Sequence, residues 1–390
     1  MATFTLNKEE YQLVKQVQTL ATNEIAERAQ FLDTIGDETV DHVIPEVLAK
    51  TNLLFPTVPT EYGGRGLSMV AAASVIEELA VGDAGTAAIV VMNSYALTPV
   101  MIGGTKKVKD EFLPHLCTDR PHLICSAISE TNTGYDLDRI DSPREDITRI
   151  ATTAQKVDNK IYLNGKKDFV MNGGAADFIV VFARSTESKQ KADLQMYLVP
   201  ADVPGVEIVE ILNKMGMRSC HTAKMVFNNV EIPMDYRVGG KGSGYLLMLQ
   251  TFDRNLPLIG AIGVGIARGA YEQALEVATS NEMLNRGSVS SRLIATNLAE
   301  MSTLIDAARL SVLRAAYFID IDENYSRVAT MAKLYATRIA KQVCDQAVDV
   351  IGRLGFIAGH PIEKYVRDAQ MLSIIAGSEG LHRHVLAQQL

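Results

Sequence analysis

Apolar residues from Asn7 to about His115 recur with a period near 3.6, as in Tyr11-Val14-Val17-Leu20 and Val75-Ile76-Leu79-Ala80, the spacing of amphipathic α-helices. Phe55-Pro56-Thr57-Val58-Pro59 and Tyr62-Gly63-Gly64-Arg65-Gly66 interrupt it. Prolines there cannot continue a helix and glycines favour turns, so a loop between helices is expected. Near Pro121 the period changes. Short β-rich runs follow: Ile161-Tyr162-Leu163 between Asp158-Asn159 and Asn164-Gly165, then Phe178-Ile179-Val180-Val181-Phe182, Gln195–Val199, Val206–Ile211 and Lys224–Phe227. Such spacing without intervening helices predicts an antiparallel sandwich or barrel. After Gly239-Gly240-Lys241-Gly242 the helical period returns at about Tyr245–Ser280, Ser290–Phe318, Ser326–Leu354 and Arg367–Gln388, which predicts a four-helix bundle. The expected fold is α+β and multidomain: an N-terminal α-helical domain over 1–120, a central antiparallel β-domain over 121–238 and a C-terminal bundle over 239–390.

Composition narrows the functional classes. The 390 residues have 47% hydrophobic and 22% charged side chains and a formal net charge of −8, values of an ordinary folded domain rather than a disordered or fibrous chain. No run of consecutive lysines or arginines exceeds two, as in Gly165-Lys166-Lys167, so nucleic acid is not an expected partner. The first residues lack the apolar core of a secretory signal. The apolar run Leu256–Ala267 is shorter than the ~20 residues that span a bilayer and reads as a buried helix. No membrane association and a cytoplasmic location are expected. Cys117, Cys125, Cys220 and Cys344 show no CxxC spacing, which predicts reduced core thiols and no metal site.

Individual motifs are weak on their own. Gly263-Val264-Gly265 opens like a dinucleotide fingerprint, but Arg268 stands at the third glycine position and no strand precedes it, so small-residue helix packing is the better reading. His382 and His384, two apart on a helix, point in different directions and are expected on an exposed polar face. Ser126, Ser129 and Glu130 fall where the helical and β-thirds meet, a position that suits either a strand edge or a pocket. The alanine-rich C-terminal helices, as at Ala307-Ala308 and Ala315-Ala316, allow close approach within or between subunits.

Read in order, the local motifs resemble those of the acyl-CoA dehydrogenase family. Ala127-Ile128-Ser129-Glu130-Thr131-Asn132-Thr133-Gly134-Tyr135-Asp136 is similar to its T-E-P-x-A-G-S-D signature, and Gly165-Lys166-Lys167-Asp168-Phe169-Val170-Met171-Asn172 to G-x-K-x-[WF]-I-T-N. Met215-Gly216-Met217-Arg218, Phe227-Asn228-Asn229-Val230-Glu231-Ile232-Pro233, Ile351-Gly352-Arg353-Leu354-Gly355-Phe356 and Tyr365-Val366-Arg367-Asp368-Ala369 extend the match over nearly the whole chain. The resemblance implies FAD held between the β-domain and the bundle, and an acyl thioester, on CoA or on a carrier protein, beside it. It implies an electron-transfer flavoprotein as a partner and a homo-oligomer, dimer or tetramer, in which neighbouring subunits share the FAD site. By position, Ile128, Ser129, Phe169, Met171, Arg292, Asp349, Gly352 and Ser378 would contact FAD, and Tyr135, Asp253, Asn255, Ala376 and Gly377 the substrate.

The departures are as informative. Met171 replaces the usual threonine near the flavin's reactive nitrogen. Asn281, Leu284 and Asn285 replace the R-x-F-G that reaches a neighbour's FAD, Arg286 and Arg292 being substitutes, and Asp349 brings a carboxylate toward pyrophosphate. Family members take the α-proton with the glutamate of Y-E-G-T, and here the segment reads Ile375-Ala376-Gly377-Ser378. The alternative base position holds Asn255, followed by Leu256. Asp253 and Glu379, with Glu77 and Glu78 on an N-terminal helix, are the remaining candidates for the base; none stands at a family base position, and Asp253 suits CoA binding better. The expectation is an FAD-dependent oxidoreductase acting at the α and β carbons of an acyl thioester with reductive, eliminating or relocated-base chemistry. The alternative is a non-catalytic paralogue acting as a binding or assembly subunit.

Overall fold

The computed structural model describes residues 4–36, 40–131, 150–186, 194–280 and 289–389. The chain opens with α1 (Lys8–Leu20), which passes through a π turn at Ala21–Ile25 into α2 (Ala26–Ile35). The Asn7 side chain accepts from the Glu10 amide while the Glu10 carboxylate accepts from the Asn7 amide, a capping box that fixes the helix start. α3 (Val43–Lys50) leads through the expected Pro/Gly loop to α4 (Met69–Gly82), α5 (Ala84–Gly103) and α6 (Lys106–Leu116). Ser68, Asp83 and Thr105 cap the last three with their side-chain oxygens. α5 is long and apolar enough to cross a bilayer, yet every residue from Ala84 to Val100 is buried within the protein.

The β-domain comprises β1 (Ile124–Ala127), β2 (Thr153–Val157), β3 (Lys160–Met171), β4 (Phe178–Ser185), β5 (Leu194–Pro200), β6 (Val206–Ile211), β7 (Thr222–Pro233) and β8 (Arg237–Val238). Strand order is β6-β7-β3-β2-β4-β5-β8, with β1 also on β4. Pairing is antiparallel except along one edge of β4, where β1 and β2 both lie parallel to it, Cys125 opposite Ile179 and Thr153 opposite Arg184. The chain leaves that edge after β1 and rejoins it further along. β3 shifts register against β7 between Lys167 and Val170, and Phe169 and Asn172 there have φ of 57° and 63°. A bulge of this kind re-aims a side chain at a strand end.

The C-terminal region contains α7 (Gly244–Ser280), α8 (Val289–Asp320), α9 (Ser326–Ile351), α10 (Pro361–Leu372) and α11 (Glu379–Gln388). Gly263 and Gly265 allow tight crossings: an added Cβ would lie 3.0 Å from the Ala336 carbonyl oxygen at the first and 2.5 Å from Ala80 Cβ at the second. That bears out the packing reading of the motif. The single helix expected over Arg367–Gln388 is instead two, α10 and α11. Ala376 and Gly377 have φ of 52° and 99°, and the Ser378 hydroxyl accepts from the Leu381 amide as the cap of α11. Gly352, φ 68°, ends α9 before Leu354.

A buried ion triad joins the three regions. Lys364 Nζ donates to Asp83 Oδ1 at 2.5 Å and to Asp368 Oδ2 at 2.6 Å, and Asp368 Oδ1 accepts from the Met217 amide at 2.5 Å. Burial alone raises both carboxyls. The Lys364 ammonium and neighbouring donors hold Asp83 below its ordinary value, whereas burial and the Asp83 charge leave Asp368 above it. Glu77 pairs with Arg268 at 2.8 Å and Arg309 at 2.9 Å, and Arg268 also holds Glu78. The four cysteines are free, three of them buried.

Candidate active site

A cavity of about 710 Å³ opens between the end of the sheet and the α10–α11 junction. Ser126, Ile128, Ser129, Phe169, Met171 and Thr222 form the β-domain wall. Leu212 to Met215 form a second side. Gln370, Met371, Ile374 to Ser378 and Leu381 form the helical wall, and Met92 and Tyr95 of α5 close the floor. The Tyr95 ring is buried and packs 5.8 Å from Phe252.

The β-domain wall is braced from behind. Lys167, fully buried, donates from Nζ to the Ile128 carbonyl at 3.0 Å and to Glu130 Oε1 at 2.8 Å. Glu130 also accepts from the Ala151 amide at 2.6 Å and the Thr152 amide at 3.0 Å. Burial alone raises the Glu130 carboxyl, but Lys167 and these donors hold it below its ordinary value, while burial pushes Lys167 down. The Asp168 amide donates to the Ser129 carbonyl at 2.9 Å, which clamps 128–130 to β3. Glu130 is thus a buried brace, and Ser126 and Ser129 line the wall. The bulge turns Phe169 outward, 64% exposed, as an aromatic surface on the cavity side.

The helical wall is a turn. His382 Nε2 donates to the Ala376 carbonyl at 2.9 Å, which fixes its tautomer. Lys333 Nζ donates to the Gly377 carbonyl at 2.5 Å and lies 3.5 Å from the Ser373 carbonyl oxygen. Burial pushes the Lys333 ammonium down to about 7, with Glu379 drawing it back up. His382, expected on an exposed face, is buried: the break at 373–378 rotates α11 so that this residue faces inward.

Of the residues singled out by sequence, Ile128, Ser129, Phe169, Met171, Ala376, Gly377 and Ser378 converge on the cavity. Ala376 is 6% exposed. Among the described residues lining it there is no Asp, Glu or His. Glu379 is held by Arg383 and lies 3.4 Å from Arg338, and Asp253 sits half-buried on α7 off the lining. Asn255 is also off it: its amide donates to Thr98 Oγ1 at 2.9 Å and to the Thr251 carbonyl at 2.8 Å. Arg292 and Asp349 are exposed on α8 and α9, and Gly352 ends α9, all away from this cavity. Tyr135, Asn281, Leu284, Asn285 and Arg286 lie outside the described residues. Sequence reading did not pick out Met92, Tyr95 or Lys333. Lys333 had a signal: it adjoins the buried stripe Ala329, Ala332, Ala336 and Ala340.

Comparison with known proteins places the whole chain. Residues 7–120, 125–230 and 242–390 match the N-terminal, middle and C-terminal domain models of acyl-CoA dehydrogenase. Cyclohexane-1-carbonyl-CoA dehydrogenase of Geobacter metallireducens is 28% identical over 388 residues, 99% of this chain and 98% of that protein. The short-chain specific mitochondrial acyl-CoA dehydrogenase of Rattus norvegicus is 29% identical over 388 residues, 98% and 90% of the two chains. The solved structure of butyryl-CoA dehydrogenase from Megasphaera elsdenii superposes with a TM-score of 0.90 at 26% identity, covering 100% and 99% of the two chains. The family's cofactor is FAD, and the cavity fits it: Phe169 and Met171 offer a broad apolar wall for a planar ring, and Ser126, Ser129 and Thr222 carry the few hydroxyls. The chain belongs to the acyl-CoA dehydrogenase family, FAD-dependent oxidoreductases that act on the CH–CH bond of acyl-CoA.

Proposed function

We propose that this protein acts on an acyl thioester by chemistry that needs no carboxylate at position 376: reductive, eliminating, or dependent on a base supplied from elsewhere. The observation that carries this reading is Ala376 in the cavity wall, with no acidic side chain among the described lining residues. FAD, bound against Phe169 and Met171 and the segment 128–129, supplies the hydride acceptor or donor. The chain's own residues do the rest. Lys167 and Glu130 hold the Ile128–Ser129 segment in place. Met171 presents a thioether where a hydroxyl donor would otherwise tune the ring. Met92, Tyr95 and Ile375 give the acyl end a dry surface.

The thioester is carried by CoA or a carrier protein, an electron-transfer flavoprotein is the redox partner where oxidation is net, and the active form is a dimer or tetramer located in the cytoplasm. The departures at Asn281 and Asp349 support FAD binding weaker than in ordinary relatives. The test is dye-coupled turnover of butyryl- and octanoyl-CoA by flavin-replete wild type and Ala376→Glu. Positioned general bases contribute about 10²–10⁴-fold, so the variant should oxidise these substrates faster than a slow wild type. Fast wild-type oxidation, unaffected by a bulky residue at 376, would contradict the reading.

A further inference from the structure

The turn between α10 and α11 adopts a conformation that its own residues resist. Ala376 has φ 52°, a left-handed backbone that residues with a Cβ disfavour. Two buried side chains hold it there. His382 bonds the Ala376 carbonyl, and Lys333 bonds the Gly377 carbonyl while also reaching Ser373, so one ammonium spans both ends of the segment 373–377. A trans peptide points its C=O and N–H in opposite directions. Anchoring these two carbonyls therefore aims the Gly377 and Ser378 N–H groups away from Lys333 and His382, and fixes where Ala376 Cβ stands in the wall.

Lys333 is an expensive way to hold a turn. It is fully buried, and among the described residues no carboxylate lies within ion-pair distance; Glu379 is engaged by Arg383 and Arg338. An ammonium without a counter-ion is among the least favourable groups to bury, in keeping with its lowered proton affinity. A methionine of similar length would fill the space without that penalty. What the lysine supplies is the shape of the cavity wall rather than stability of the fold.

We propose that Lys333 is a positioning residue whose ammonium holds the 373–377 turn in the form that receives the flavin and the acyl thioester. The proposal rests on the FAD reading above. The test uses the full-length chain as wild type, Lys333→Met and Lys333→Arg, with thermal melts and FAD titration followed by flavin fluorescence. Lys333→Met should fold and melt at or above the wild-type temperature yet bind FAD roughly tenfold or more weakly, as loss of a charge-assisted hydrogen bond implies. Lys333→Arg, which restores the cation, should recover most of that affinity.

A Lys333→Met protein that melts well below wild type reveals an ordinary structural lysine and overturns the proposal. So does one that binds FAD as tightly as wild type, or an arginine variant as weak as methionine. A wild type that takes up no FAD overturns the flavin reading and this proposal with it, an outcome distinct from the other three.

Discussion

Each wall of the cavity is held from behind by a buried lysine that donates to a backbone carbonyl, and the two differ in one respect. Lys167 reaches the Ile128 carbonyl and is paired with Glu130 at 2.8 Å, whereas Lys333 reaches the Gly377 carbonyl with no carboxylate partner among the described residues. The paired lysine belongs to a closed network in which Glu130 is further satisfied by two backbone amides. Fold stability and site geometry coincide on the β-domain wall and diverge on the helical wall.

Removing the two lysines is the sharpest way to break that comparison. Lys167→Met strands the buried Glu130 charge and should lower stability by about 3–5 kcal/mol, the usual outcome of deleting one member of a buried pair. Urea unfolding followed by circular dichroism measures it. Equal and small losses for Lys167→Met and Lys333→Met would erase the distinction.

The second effect depends on pH. The folded protein holds the Lys333 proton affinity near 7, against 10.5 for the free side chain. Below pH 7 the lysine is protonated in both states and the full burial penalty acts on the folded one. As pH rises from about 7 to 10.5 the folded chain sheds the proton before the unfolded chain does, so this penalty is relieved. Lys333→Met should therefore gain stability relative to wild type at pH 6, and the advantage should shrink by pH 9. Melting scans at the two pH values check it, and an advantage that grows with pH contradicts the assignment.

The smallest effect lies in the turn itself. Gly377 has φ 99°, and an added Cβ would meet His382 Nε2 at 3.0 Å and Leu381 Cδ2 at 3.1 Å. Gly377→Ala should cost about 1–2 kcal/mol. An unchanged melting temperature would mean that the turn is more pliant than its anchors imply.

Much of this architecture was legible in the sequence, because a change of hydrophobic period marks each passage between helices and strands. α5 carried little such signal, since a helix buried all round has no polar face to give it a period. β8, two residues long, was too short to register. The break before α11 was written in Ala376-Gly377-Ser378-Glu379, a glycine followed by a cap, but an apolar pattern on both sides masked it. Colinear motifs located Ile128, Ser129, Phe169, Met171 and Ala376 at the cavity, because those residues sit at strand and turn ends whose spacing is local. Tyr95 reaches the cavity, and Lys333 the back of its wall, only through helix packing across the chain, which no local spacing encodes.

The central claim is that the described lining of the cavity presents no carboxylate or imidazole base to the α carbon of an acyl thioester. Exchange of the α-proton tests this without requiring net oxidation or an electron acceptor. Flavin-replete wild type and Ala376→Glu would be incubated with butyryl-CoA in heavy water, and deuterium at the α carbon followed by mass spectrometry. Negligible incorporation with wild type and clear incorporation with Ala376→Glu is the predicted result; rapid incorporation by the wild type would contradict it and place a base in the site that the described residues do not supply.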